Sequence, residues 1–180
     1  MERVARRLVP RPAGPWYRAG ELPAPGPRAE ALMGPLVLWA LSRGGPDPPF
    51  LAAAAASLAR LFHADATAVA DACLFALALQ EVARSRRVPP DLPERALGWR
   101  ALAQRWGGAL PAERILSVLG AAAAHPDDPG AARGAAGPWA EGSALAGGLV
   151  GLATGVPVDR LPSAVRAALV RLSDSGGERG

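Results

Sequence analysis

A chain of 180 residues, half of them hydrophobic and 20% charged, has the apolar material for one buried core and little room for two domains. Its two histidines and single cysteine, Cys73, are too few for a structural zinc site or an internal disulfide. The formal net charge of +4 comes from twenty basic residues that are all arginine; GC-rich coding explains that bias, and scattered arginines with one tyrosine and three phenylalanines argue against a nucleic-acid partner.

In chain order, residues 1–27 form a Pro/Gly/Arg-rich N-terminal segment. Arg3, Arg6, Arg7 and Arg11 make its start basic, but no apolar run follows of the kind a secretory signal needs. Glycine (21) and proline (19) then cluster at 44–49, 88–93, 107–111 and 126–138, leaving stretches of helical length between them. The spacing predicts helices at 29–43, 49–62, 66–86, 94–106, 112–124, 140–154 and 163–173. Pro48 and Pro49, Pro93, Pro111 and Pro162 each precede an apolar-periodic run, where a fixed φ and a missing N–H suit a first helical turn. No segment has the alternation of β-branched residues that a strand requires.

The helix at 66–86 differs from the others, because Ala72 to Leu79 is apolar on every side; it is expected to be the buried central helix. That apolar run is far shorter than the roughly 20 residues of a membrane span, so no membrane partner and a cytoplasmic location are expected. At 140–154, Gly147, Gly151 and Gly155 recur every four residues. Each interior glycine costs about 1 kcal/mol relative to alanine, so the stripe is expected to face another helix at close range, unless it only reflects composition. At 163–173, Val165, Ala168, Leu169 and Leu172 form an amphipathic stripe with Arg166 and Arg171 opposite. The expected organisation is a single all-α domain over 28–174 with a flexible tail at 175–180.

Few residues offer chemistry. His63, in Leu61-Phe62-His63-Ala64-Asp65-Ala66-Thr67, could act as a general base, but its place between two helices favours a cap, with Asp65 capping the next helix. His125-Pro126-Asp127-Asp128 could hold a divalent cation, yet adjacent residues rarely aim at one ion, and Asp128 before Pro129 favours a helix start. Arg84, Arg86 and Arg87 fall where positive charge complements a helix C-terminus. Cys73 reads as a small core residue, and the five tryptophans are too dispersed for an aromatic cage. The P-loop, the GxSxG elbow, HExxH and the calcium loop are all absent.

The order of the pieces resembles a family. Leu58-Ala59-Arg60-Leu61-Phe62-His63-Ala64-Asp65-Ala66-Thr67-Ala68-Val69 is similar to the Thr-His-Pro-Asp-Pro helix junction of the ADP-ribosylglycohydrolases, which include the dinitrogenase reductase-activating glycohydrolases. Residues 121–155 resemble that family's C-terminal stretch, with Ser143 to Pro157 matching its small-residue helix and Val158-Asp159-Arg160-Leu161-Pro162 the segment before its last helix. The resemblance runs from about residue 30 to the end and implies a compact, orthogonal multi-helix domain. It also implies hydrolysis of ADP-ribosyl bonds with two magnesium ions held by carboxylates.

The chain departs from the pattern at those ligands. Counting back from Gly147 places Pro138 and Ala140 at the family's two aspartates, Trp139 between them, and Glu141 at its threonine. The N-terminal acidic cluster has no counterpart, and Arg28-Ala29-Glu30 stands where a Gly-Asn-Gly loop is expected. Magnesium needs near-octahedral oxygen coordination, which Pro, Trp and Ala cannot supply. The sequence therefore predicts a relative without catalytic residues, metal or other cofactor, acting by binding an ADP-ribose-like ligand or a protein partner. A residual site would draw on Glu141, Asp127, Asp128 and His63. The alternative is an active magnesium-dependent hydrolase, completed by a partner chain or rebuilt from Glu141 with Asp127 and Asp128.

Overall fold

The computed structural model describes residues 47–155, together with Met33, Val37, Leu41 and Gly45. Among the described residues all regular structure is helical: α1 (Pro48–Ala59), α2 (Ala66–Ser85), α3 (Leu92–Gly107), α4 (Glu113–Ala124), α5 (Pro129–Ala135) and α6 (Ala140–Thr154). Met33, Val37 and Leu41 are also helical, spaced four apart so that they share a face, and Met33 and Val37 are buried in the same core as α1–α6. They fall within the helix expected at 29–43. The N-terminal segment, the helix expected at 163–173 and the tail lie outside the described residues.

The boundaries follow local chemistry. Asp47 accepts the Phe50 N–H at 3.0 Å and Pro48 and Pro49 fill the first turn of α1. α1 stops at Ala59, three residues before the expected end, as the N–H groups of Phe62 and His63 both turn back to the Ala59 carbonyl. Asp65 then starts α2 by accepting the Thr67 N–H at 3.1 Å. α3 begins two residues earlier than expected, with Pro93 in its first turn.

α2 is the centre of the fold, and every residue from Ala68 to Gln80 is buried. It is long and apolar enough to cross a membrane by length and composition, but 78% of that window is buried inside the protein. Cys73 Sγ lies 3.4 Å from the Ala52 carbonyl of α1. α2 also runs antiparallel to α3: Ala70 faces Gly107, and further along α2 Glu81 pairs with Arg95.

The close helix approach occurs at a glycine outside the expected stripe. A Cβ added at Gly107 would sit 2.5 Å from Ala70 Cα and 2.6 Å from its nitrogen, so α3 meets the α2 backbone only because Gly107 has no side chain. Of the stripe itself, only Gly147 is crowded by other described residues, by Arg133 Cγ at 2.5 Å and the Pro129 carbonyl at 3.2 Å. Gly151 has no described residue within 4 Å of an added Cβ, and Gly155 has φ +78° and ends the helix. Among the described residues the expectation of one close-packed stripe is corrected: Gly147 is needed for a close approach and Gly155 for its backbone conformation, while nothing described packs on Gly151. The short α5 is an addition to the expected elements, because Pro129-Gly130-Ala131-Ala132-Arg133-Gly134-Ala135 reads as loop by composition while Asp128 and Pro129 supply its start.

Candidate functional site

The central helix holds a charge that its apolar surroundings conceal. Asp71, wholly buried in α2, accepts the Ala112 N–H at 2.7 Å and lies 3.4 Å from Arg114 Nη2. Ala112 precedes α4 and has no side-chain cap of its own, so a carboxylate 41 residues away in sequence performs that role. A buried carboxylate without such partners would be expensive, and Asp71 and α4 satisfy one another.

Arg114 extends the connection to α6. Its guanidinium stands 5.3 Å from the ring centroid of Trp139, the residue that precedes α6, within the range of a cation–π contact. The Trp139 ring in turn packs over Gly142, where a Cβ would collide with it. Asp71, Arg114 and Trp139 thus tie α2, α4 and α6 together. Asp71 carries no motif of its own; its signal in the sequence is an acid directly beside the apolar run Ala72 to Leu79, where a charge must be paired.

The expected site residues occupy separate places. His63 is half-buried in the turn between α1 and α2, where its backbone N–H closes α1. Asp127 is exposed in the turn between α4 and α5. Asp128 caps α5, accepting the Gly130 and Ala131 N–H groups at 2.9 and 3.0 Å. Glu141 is exposed in the first turn of α6, where negative charge complements the helix dipole. Pro138 and Ala140 are exposed on either side of Trp139. Among the described residues no three His, Cys, Asp or Glu side chains are grouped to hold a metal ion.

Several other acids are also tied to neighbours. Glu81 and Asp91 both contact Arg95, and Glu113 lies 3.3 Å from Arg100. The hydrogen bond from Arg95 is the main cause that holds the Asp91 carboxyl below its ordinary value. Burial pushes the Cys73 thiol up to about 12, against smaller lowering effects from Arg60 and a backbone hydrogen bond, so it stays protonated and unreactive at neutral pH.

No protein-family model matches the chain, and neither a curated protein nor a solved structure matches it.

Proposed function

We propose that the chain is a non-catalytic, all-α binding protein on a scaffold like that of the ADP-ribosylglycohydrolases, taking an ADP-ribose-like ligand or a protein partner. The observation that carries this reading is how its carboxylates are used. Asp47, Asp65 and Asp128 each cap the helix that follows them, and Asp71 caps α4 from a distance. A two-metal hydrolase needs several carboxylates aimed at one point to hold two cations against their repulsion. Here these acids are aimed at backbone N–H groups of four different helices.

Calorimetry on the purified full chain tests the reading. ADP-ribose titrated without magnesium should give saturable heat that a chelator leaves unchanged; if it gives none, the protein-partner form of the proposal stands alone. Tight magnesium binding that Glu141→Ala removes would overturn both forms, because it would require a rebuilt metal site around the start of α6.

A further inference from the structure

We draw no further inference here: the strongest candidate, the exposed apolar side chains of Phe50 at the start of α1 and Leu97 on α3, has nothing in the structure to show what covers it.

Discussion

Asp71 on the buried α2 accepts the backbone N–H of Ala112 at 2.7 Å, so the first turn of α4 is finished by a side chain from another helix. Asp71→Ala leaves that N–H without its acceptor and should cost about 1–3 kcal/mol in urea unfolding. Asp71→Asn keeps an acceptor oxygen and should cost less. Arg114→Ala leaves the wholly buried Asp71 carboxylate without the cation 3.4 Å away and should also destabilise, because a buried charge loses its partner. An Arg114→Ala protein as stable as the parent would contradict this pairing.

Gly107 and Gly151 should respond in opposite directions to the same change. Gly107→Ala drives a methyl group into the Ala70 backbone and should destabilise by about 1–3 kcal/mol through overpacking. Gly151→Ala meets no described residue within 4 Å and should stabilise by about 0.4–1 kcal/mol as chain entropy is reduced and helix propensity rises. Thermal unfolding of both variants checks the pair; a Gly151→Ala protein that melts lower than the parent would mean a neighbour packs against that position.

Leu77 is 2% exposed in the middle of α2. Truncation to alanine should cost about 2–5 kcal/mol, the range for a large side chain removed from a closed core. A chemical-denaturation loss below about 1 kcal/mol would place α2 at a surface.

Cys73 gives a pH signature. Its folded-state pKa of about 12 lies above the ordinary 9.0, so folding favours the protonated thiol. The resulting stability is complete below the ordinary value and is lost as pH rises from there through the folded value. Between those limits the parent should lose more stability than Cys73→Ala, as read from urea midpoints. Iodoacetamide at about pH 8, close to the ordinary thiol range, should label the unfolded chain and spare the native one. Rapid labelling of native protein would show that the thiol is reached without global unfolding.

Helix positions were legible in the sequence wherever punctuation and apolar periodicity agreed. The expected bounds 140–154 coincide with α6, and the apolar run Ala72 to Leu79 identified the buried helix. Composition misled at α5, whose two glycines and flanking prolines hid a seven-residue helix that only the Asp128–Pro129 pair announced. The Gly147 stripe misled differently, since periodicity shows which residues share a face but not whether anything packs on it. Local capping by Asp65 and Asp128 could be read because acceptor and donor are two or three residues apart. The Asp71–Ala112 contact could not be located from sequence, because it depends on the packing of α4 against α2.

If residues 138–141 around Trp139 hold no working metal site, as proposed, the protein should show no turnover. Purified full-length protein with magnesium should leave ADP-ribosyl-arginine and ADP-ribosyl-serine substrates intact over prolonged incubation, with no free ADP-ribose by chromatography. Release of ADP-ribose that a chelator stops and Glu141→Ala abolishes would contradict the account and make the start of α6 a catalytic centre.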